Sequence, residues 1–353
     1  MKKKSLWKKI TTVLAITAVT IAGVTGCANS SGIQTEKTEK TEEKANGNYK
    51  EFRIGCADAT NNQLNDLGAV AQLNGYLEEE LNKVGYTAKV IGFAGAGPEI
   101  NAALMSGSLD AANYGEFPAL TSKASGADTT VIGISDSKLF YGILAGSKDI
   151  KTVKDLEGKK IVVQQGTPLQ YAWEQIAKEA GVDTDKVEVI NSNVADGMSL
   201  LQTKDADAVL STLNSVENYE KKGIGYVVEQ EKPVYSSTVF NISNKILKEE
   251  PQVAVAVNKA LIRTYEEILQ NPQTLYDILG EKYGENGSDI IKQTYTVDGS
   301  LDYLTPEFTN EFTNYIDQTY EWMKENSIIS GEINTKEFFD GSYYEQAAKE
   351  LEK

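Results

Sequence analysis

Residue types that commonly build reactive sites are scarce in this chain of 353 residues, which has no histidine, two cysteines and two arginines. Histidine is the commonest ligand of zinc and the usual general base near neutral pH, so its absence argues against a zinc site and a serine–histidine hydrolase. Cys56 lies in an apolar stretch and is interpreted as a small buried residue, so no disulfide framework is expected. We expect neither a metal nor a cofactor.

Motifs that bind nucleotides or activate a serine are also missing. The chain contains no Gly-x-x-x-x-Gly-Lys-Ser/Thr and no Gly-x-Ser-x-Gly. Gly95 and Gly97 begin like a dinucleotide fingerprint, but Ile100 stands where the third glycine belongs. Nucleotide binding is therefore not expected. The 51 acidic residues leave hydrolysis by two carboxylates open, although nothing marks two of them as a pair.

The first 27 residues have the parts of a bacterial export signal. Five lysines precede an apolar run from Ile10 to Gly23, which is shorter than the roughly 20 residues that a membrane-spanning helix needs. The run leads into Val24-Thr25-Gly26-Cys27, which resembles the lipobox of bacterial lipoproteins. This resemblance implies a signal peptide over residues 1–26 and lipid on Cys27. The alternative is an ordinary secretion signal with an accidental cysteine.

The chain expected after cleavage is strongly acidic. Removal of residues 1–26 takes away five lysines and no acid, which leaves 30 basic and 51 acidic residues and a net charge of −21. Nucleic acid and anionic lipid surfaces bind proteins through basic patches, so neither is expected as a direct partner. The sequence therefore predicts an extracytoplasmic protein that lipid, and not charge, holds at the membrane.

Residues 27–49 are predicted to form a disordered tether. The stretch from Thr35 to Lys44 repeats threonine, glutamate and lysine and has almost no apolar surface to bury. A flexible chain of this length has ends about 25 Å apart on average.

Beyond the tether, strand patterns alternate with helix patterns in two series, which begin near Phe52 and after Lys148. Within the first series, residues 70–84 are predicted to form one helix and residues 129–134 and 140–145 two strands. Such alternation indicates parallel α/β sheets, in which ligands bind where strand carboxyl ends meet helix amino ends. The remaining length of about 300 residues favours two lobes.

Two turns with the same build connect a strand to a helix: Gly95-Ala96-Gly97-Pro98 and Gln165-Gly166-Thr167-Pro168. Each proline is expected near the first helical position. Exposed backbone N–H groups and the helix dipole favour an anion at such turns. The alternative is that the glycines only permit a tight turn.

The motifs at these turns resemble a known family. They are Gly97-Pro98-Glu99-Ile100-x-x-Ala103-Leu104-x-x-Gly107-x-Leu109-Asp110, Tyr114-Gly115-Glu116-x-Pro118, Asp155-Leu156-x-Gly158-Lys159-Lys160-Ile161-x-Val163-x-x-Gly166-Thr167, Asn191-x-x-x-Ala195-Asp196 and Asp207-Ala208. In this order they resemble the alkanesulfonate-, taurine- and nitrate-type substrate-binding proteins of ABC importers. The resemblance covers about residues 50–345.

This resemblance implies an α/β, two-lobe type II periplasmic-binding-protein fold with parallel-rich sheets flanked by helices. Lobe 1 would comprise residues 50–145 and 241–353, and lobe 2 residues 146–240. Two extended hinge crossings are placed near residues 140–147 and 237–243. The resemblance further implies a monomer that encloses a small-molecule solute between its lobes and delivers it unchanged to an ABC permease and its ATPase.

Carried over residue by residue, the resemblance predicts ligand contacts on loops that face the cleft. They are Thr60, Asn61, Gly97, Tyr114, Gly115, Glu116 and Tyr141, followed by Gln165, Gly166, Thr167, Asn193, Asp196, Thr212 and Asn214. Tyr114 and Tyr141 have the alternative of core aromatic residues. Asp196 has the alternative of a helix cap, and Glu116 that of a contact between lobes or a surface position.

The charged residues bear on the ligand. Arg53 begins the first strand and Arg263 lies in a C-terminal helix, so no arginine clamp on an anion is expected. An anionic head would depend on backbone N–H groups, glutamine, threonine and helix dipoles, whereas Glu99, Glu116 and Asp196 favour a cationic group. A small zwitterion such as an aminosulfonate fits both.

Other ligands and functions stay open at this point. Several relatives carry a Trp-Glu-Pro-like segment where this chain has Ser211-Thr212-Leu213-Asn214-Ser215. Nitrate and a thiamine-precursor pyrimidine are therefore alternative ligands. A sensor lipoprotein that is not coupled to transport and a secreted enzyme on the same scaffold are the competing functions.

Overall fold

A computed structural model describes residues 49–296, 300–301 and 304–352. The predicted signal peptide (1–26), Cys27 and the tether up to residue 48 lie outside the described residues and stay predictions. Within the described ranges, no helix combines the length and the apolar character that crossing a membrane requires.

The strands of the described residues form one mixed sheet. They are β1 (Lys50–Cys56), β2 (Tyr86–Gly92), β3 (Ala111–Gly115), β4 (Thr129–Ala145), β5 (Lys160–Val162), β6 (Glu188–Ile190), β7 (Ala208–Thr212), β8 (Tyr226–Val227) and β9 (Tyr235–Ser243). Their order is β2-β1-β3-β9-β4-β7-β5-β6, with β8 beside β4.

Two antiparallel strands join two parallel groups within this sheet. Strands β2, β1 and β3 pair in parallel and form the first parallel group, and β6, β5 and β7 form the second. Between them, β9 and β4 run antiparallel to their neighbours. Parallel neighbours need a crossover connection, which the alternating helices provide. The predicted α/β class with parallel-rich sheets is confirmed.

Strand β4 passes from the first parallel group to the second. Its residues 129–140 pair with β9, and residues 141–145 pair with β7. The sequence predicts two strands here, at residues 129–134 and 140–145. The structure instead has one strand with register shifts on both sides of Asp136. Such bulges keep the chain extended while they redirect individual side chains.

Helices cover the sheet and connect its strands. They are α1 (Asp66–Leu73), α2 (Tyr76–Lys83), α3 (Ala96–Met105), α4 (Glu116–Ala124), α5 (Pro168–Glu179), α6 (Val194–Thr203), α7 (Leu213–Lys221), α8 (Asn244–Glu249), α9 (Gln252–Gln270), α10 (Pro272–Gly280), α11 (Gly287–Tyr295), α12 (Asn310–Glu325), α13 (Thr335–Phe338) and α14 (Ser342–Leu351). Short 3-10 helices span Val153–Leu156, Thr184–Lys186 and Glu281–Tyr283.

Alternating apolar side chains of the strands bury both faces of the sheet. On one face of the first parallel group and the adjoining β9, Ile54 and Phe240 pack with α1, α2, α9 and α10, whereas Val239 packs on the opposite face with α3, α4 and α12. In the second group, α5 covers one face, and α6 and α7 cover the other. Successive side chains of a strand point to opposite faces of the sheet. A sheet that helices cover on both sides therefore buries apolar side chains on both faces.

Two helix boundaries differ from the sequence expectations. Residues 70–84 do not form one helix, because Gly75 adopts a φ of +81° and separates α1 from α2. Helix α3 begins at Ala96 and not at Pro98, which lies in its first turn, where a missing N–H costs no hydrogen bond. Pro168 does begin α5, as the sequence predicts.

We expect Ile54→Ala to destabilise the protein far more than Leu73→Ala. Ile54 is fully buried in β1, whereas Leu73 is 52% exposed. Truncation of a buried isoleucine leaves a cavity and lowers the free energy of unfolding by about 2–5 kcal/mol, and an exposed position costs about 0.5 kcal/mol. Urea unfolding followed by circular dichroism measures both. Equal losses would contradict a buried β1.

Candidate functional site

A small cavity lies at the carboxyl ends of β1 and β7, beside the C-terminal helices. Its volume is about 70 Å³. Its lining comes from three segments of the chain: Asp58, Gln63, Leu64, Asn65 and Asp66 after β1, Asn214 after β7, and Leu279, Lys282, Ile291 and Tyr295 from the α10–α11 region. Open α/β sheets bind ligands at the carboxyl ends of their strands. This cavity is therefore the candidate site.

The loop after β1 is organised by Asp58. Thr60 and Asn61 are exposed, and their backbone N–H groups donate to Asp58 Oδ1 at 3.0 and 2.9 Å. Burial disfavours the ionised form of Asp58, but the hydrogen bonds from Asn61 and Thr60 outweigh it and hold the pKa of Asp58 below its ordinary value. The two predicted contacts thus position a carboxylate in the cavity wall that sequence reasoning missed.

Asn214 is the one predicted contact among the residues that line the cavity. It is the second residue of α7 and is buried. Thr212 Oγ1, also a predicted contact, donates to Asn214 Oδ1 at 2.7 Å. The structure therefore brings Thr212 and Asn214 together at the end of β7, where Thr212 orients the amide.

Two carboxylates that sequence reasoning missed lie where β4 and β9 pair. Asp66 accepts hydrogen bonds from Thr238 Oγ1 at 2.6 Å and from Tyr295 Oη at 2.5 Å. Asp136 is fully buried, and its Oδ1 accepts from the backbone N–H of Lys138 at 2.7 Å. Burial raises the pKa of both carboxyls, and the charge of Asp66 raises the pKa of Asp136 further. No motif in the sequence marks either residue.

Glu116 is fully buried at the first residue of α4 and joins three elements. Its Oε1 accepts from Tyr315 Oη at 2.5 Å, and its Oε2 accepts from the backbone N–H of Ser237 at 3.0 Å. Burial raises the pKa of Glu116 to about 6, against the opposing effect of these hydrogen bonds. The carboxylate therefore holds α4, β9 and α12 together. Its role as a ligand contact stays a prediction.

Both predicted tyrosines lie in the core. Tyr141 Oη donates to Ser236 Oγ at 2.8 Å. Tyr114 Oη donates to Asn101 Oδ1 at 3.0 Å and accepts from Asn241 Nδ2 at 2.9 Å. Burial raises the pKa of both hydroxyls. Such hydrogen bonds are expected if Tyr114 and Tyr141 are core residues and not ligand contacts.

Gly97 allows α3 to pack closely against α4. A Cβ atom at Gly97 would lie 2.7 Å from Cβ of Pro118, which is too close for two carbon atoms. Gly115 precedes α4 with an extended backbone. The close packing at Gly97 is a structural reason for glycine that needs no ligand.

The glycine turn after β5 makes local hydrogen bonds. The N–H of Gly166 donates to Gln170 Oε1 at 2.8 Å, and Thr167 Oγ1 accepts from the N–H of Leu169 at 3.2 Å to cap α5. Gln165 lines a separate groove of about 520 Å³ beside α5. These three predicted contacts are therefore not part of the wall of the small cavity.

Asn193 and Asp196 form the cap of α6. Asn193 Oδ1 accepts from the N–H of Asp196 at 2.9 Å, and Asn193 Nδ2 donates to Asp196 Oδ2 at 2.8 Å. Both side chains are exposed. These hydrogen bonds are those expected if Asp196 belongs to a helix cap. Contact of Asn193 and Asp196 with a ligand stays a prediction.

A cluster of aromatic rings joins elements that are far apart in the sequence. Its members are Phe117, Tyr171, Tyr235, Tyr315 and Trp322, with neighbouring ring centroids 5.1–6.5 Å apart. Trp322 Nε1 also donates to Glu174 Oε2 of α5 at 2.7 Å. Through these contacts α12 holds the first and second parallel groups together. No local motif marks these residues.

The two arginines form ion pairs away from the cavity. Arg53 binds Asp110 through two hydrogen bonds of 2.8 and 2.7 Å, and Arg263 pairs with Glu79 and Glu80. Neither arginine lines the cavity. In the part of the chain that the structure describes, no group of histidine, cysteine, aspartate and glutamate is arranged to hold a metal ion.

Comparison with known proteins shows similarity to solute-binding proteins. The family model described as NMT1/THI5 like matches residues 70–275. An aliphatic sulfonates-binding protein of Escherichia coli K12 is 30% identical over 115 residues, which are 32% of this chain and only 36% of that protein. The taurine-binding periplasmic protein of the same organism is 22% identical over 254 residues, 68% of this chain and 78% of that protein.

Solved structures show the same fold. A periplasmic sulfonate-binding protein from Methylobacillus flagellatus KT has a TM-score of 0.72 at 19% identity and covers 87% of this chain and 96% of its own. The desulfurization enzyme DSZB has a TM-score of 0.64 at 13% identity and covers 85% of this chain and 99% of its own. The predicted type II periplasmic-binding-protein fold is confirmed. Because a binding protein and an enzyme share it, the fold does not separate the two functions.

We expect Glu116→Gln to remove a pH dependence of stability. The pKa of Glu116 in the folded protein, about 6, lies above the ordinary 4.5, so the folded state binds the proton of Glu116 more tightly than the unfolded state does. The stabilisation from this proton is full below about pH 4.5 and is lost as the pH rises through about 6. The free energy of unfolding of the wild type, relative to the variant, should fall by about 2 kcal/mol from pH 4 to 7.

Urea unfolding at a series of pH values measures this difference. Glu285→Gln, at an exposed position, is the matched control and should differ from the wild type by a constant amount. If the difference between wild type and Glu116→Gln stays constant as well, Glu116 does not titrate in this range.

Proposed function

Because this chain belongs to the NMT1/THI5-like family, we propose that it is the extracytoplasmic solute-binding component of an ABC importer. Its ligand is a small sulfonate, either an alkanesulfonate or a zwitterionic aminosulfonate such as taurine. The observation that carries the proposal is the cavity at the strand ends, which collects polar side chains from three segments of the chain. The names of the similar E. coli proteins support the ligand class.

Capture depends on the two strands that join the parallel groups. Residues 129–145 and 235–243 are extended and connect one group to the other, so a small change in their backbone would reorient the groups. A ligand that contacts Asp58 on one side and Asn214 on the other stabilises the closed arrangement by its difference in affinity for the closed and open forms. The permease and ATPase then recognise the closed form.

Binding without chemical conversion is part of the proposal. The similar curated proteins are named as binding proteins, whereas the fold itself is shared with the desulfurization enzyme. The two functions differ in one measurable respect, because a receptor releases its ligand unchanged. Mass spectrometry of the compound released from the purified protein therefore distinguishes them.

The protein is proposed to act as a monomer on the outer face of the cell membrane, held by lipid on Cys27. The basic amino end, the short apolar run and the lipobox-like residues before Cys27 support this location. The processed chain has an expected net charge of −21, which would oppose direct binding to anionic lipid. This charge supports a covalent lipid, and not electrostatic attraction, as the means of attachment.

We expect isothermal titration calorimetry to detect binding of taurine or ethanesulfonate, and Asn214→Ala to weaken that binding. Loss of one hydrogen bond to a charged ligand costs about 1.5–3 kcal/mol, which raises Kd about 10- to 100-fold. Asn310→Ala is the matched control because Asn310 is exposed, does not line the cavity and is not a predicted contact. Equal effects of the two variants would contradict the cavity as the site. Binding of nitrate or of an aminomethylpyrimidine alone would replace the sulfonate with one of the alternative ligands.

We expect Cys27→Ser to release the protein from the membrane. Serine cannot form the thioether that carries the lipid, and the acidic chain has no basic patch to replace it. Fractionation of cells followed by immunoblotting should move the protein from the membrane fraction to the soluble extracytoplasmic fraction. Cys56→Ser, which changes a buried cysteine, should leave the membrane association intact. Retention of Cys27→Ser at the membrane would contradict the lipid anchor.

A further inference from the structure

One buried carboxylate oxygen beside the cavity lacks a hydrogen-bond partner. Asp136 has no solvent exposure, and its Oδ2 has no partner among the described residues. An unsatisfied polar group in a protein interior costs free energy, and it is costlier when it carries charge. Such an oxygen is suited to a donor that arrives with a ligand.

Asp136 lies next to a group that belongs to the cavity wall. In the register of β4 and β9, Asp136 lies opposite Thr238, whose Oγ1 donates to Asp66 Oδ2 at 2.6 Å. Asp66 and Tyr295 both line the cavity. Asp136 is not itself in the wall, but the strand register places it beside the wall residue Asp66.

The backbone and neighbouring hydroxyls hold the carboxylates in place. Register shifts flank Asp136 in β4, where it pairs with Thr238 of β9, and such bulges redirect side chains at functional positions. Thr238 donates a hydrogen bond to Asp66 Oδ2, and Tyr295 donates one to Asp66 Oδ1. The pair is thus prearranged by β4, β9, α1 and α11 and not by a mobile loop.

The charges around the cavity favour a cation. Asp58, Asp66 and Lys282 line it, and Asp136 lies beside Asp66, so acidic side chains outnumber the ammonium group by three to one. Burial and mutual repulsion raise the pKa of Asp66 and Asp136, which means that ionisation of both requires a further positive charge. The volume of about 70 Å³ suits an ammonium-sized group and excludes a large one.

We propose that Asp66 and Asp136 form a subsite for the ammonium group of the ligand, so that the protein takes amine-bearing solutes in preference to simple anions. This inference rests on the proposed function and narrows its substrate class from sulfonates in general to aminosulfonates. The anionic end of the ligand then lies outside the carboxylate pair, towards Asn214.

Taurine and ethanesulfonate test the subsite because they differ by one amino group. In calorimetry at equal ionic strength, the wild type should bind taurine at least 10-fold more tightly than ethanesulfonate. Asp136→Asn should reduce this preference to within about 2-fold and change the Kd of ethanesulfonate by less than that. Asp185→Asn, at an exposed position remote from the cavity, is the matched control and should keep the wild-type preference.

Circular dichroism and thermal unfolding establish that each variant is folded. If Asp136→Asn does not fold, Asp66→Asn replaces it, with the same expected loss of preference. If neither variant folds, the affinity of the wild type for taurine relative to ethanesulfonate alone decides whether the subsite exists.

The outcomes separate this inference from the proposed function. Equal affinity of the wild type for the two sulfonates, or an unchanged preference in the folded variant, overturns the subsite and leaves the receptor function standing. Binding of 4-amino-5-aminomethyl-2-methylpyrimidine but of neither sulfonate, lost in Asp136→Asn, supports the subsite and overturns the sulfonate ligand. Absence of binding of all three compounds overturns both.

Discussion

Three consecutive hydroxyl side chains of β9 lie in the middle of the fold, and the arrangement of the rest depends on how they are satisfied. Each bonds to a different distant segment: Ser236 to Tyr141, Ser237 to Glu116, and Thr238 to Asp66. Buried polar groups are costly without partners, so each pair fixes one segment against β9. The strand thereby sets the position of the end of β4, the start of α4 and the start of α1.

The C-terminal helices complete the same network from the other side. Tyr315 of α12 donates to Glu116, and Tyr295 of α11 donates to Asp66. Both carboxylates thus receive donors from β9 and from a helix that begins more than 40 residues after β9 ends. The α10–α11 region is therefore part of the candidate site and not only a cover for the first parallel group.

The sequence predicted those parts of the fold that depend on local patterns. The alternation of apolar stretches with helical periodicity indicated the parallel groups, whereas Asn214 was named by the family resemblance. It also indicated the right loop after β1, but Thr60 and Asn61 serve there as donors to Asp58. Several missed features are polar groups whose partners are distant in the sequence. Residues 135–139 lie between the two strands that the sequence predicts, and polar residues inside a strand are acceptable only when such partners exist. Tyr295 and Lys282 gave no signal, because their proximity to Asp66 exists only in the folded chain.

In the proposed subsite, recognition of the ligand's ammonium group and closure of the cavity around it depend on the same residues. Asp136 and Thr238 face each other on the two strands that join the parallel groups, and Asn214 reaches the cavity from the second group. Repulsion between Asp66 and Asp136 acts at this crossing whenever both are ionised. A ligand ammonium group removes that repulsion and satisfies the unpartnered oxygen of Asp136, and it does so most fully when the cavity is closed around it. Because a ligand shifts a conformational equilibrium only by its difference in affinity for the two states, a solute without the amino group would lack this contribution to closure even where its sulfonate binds equally well.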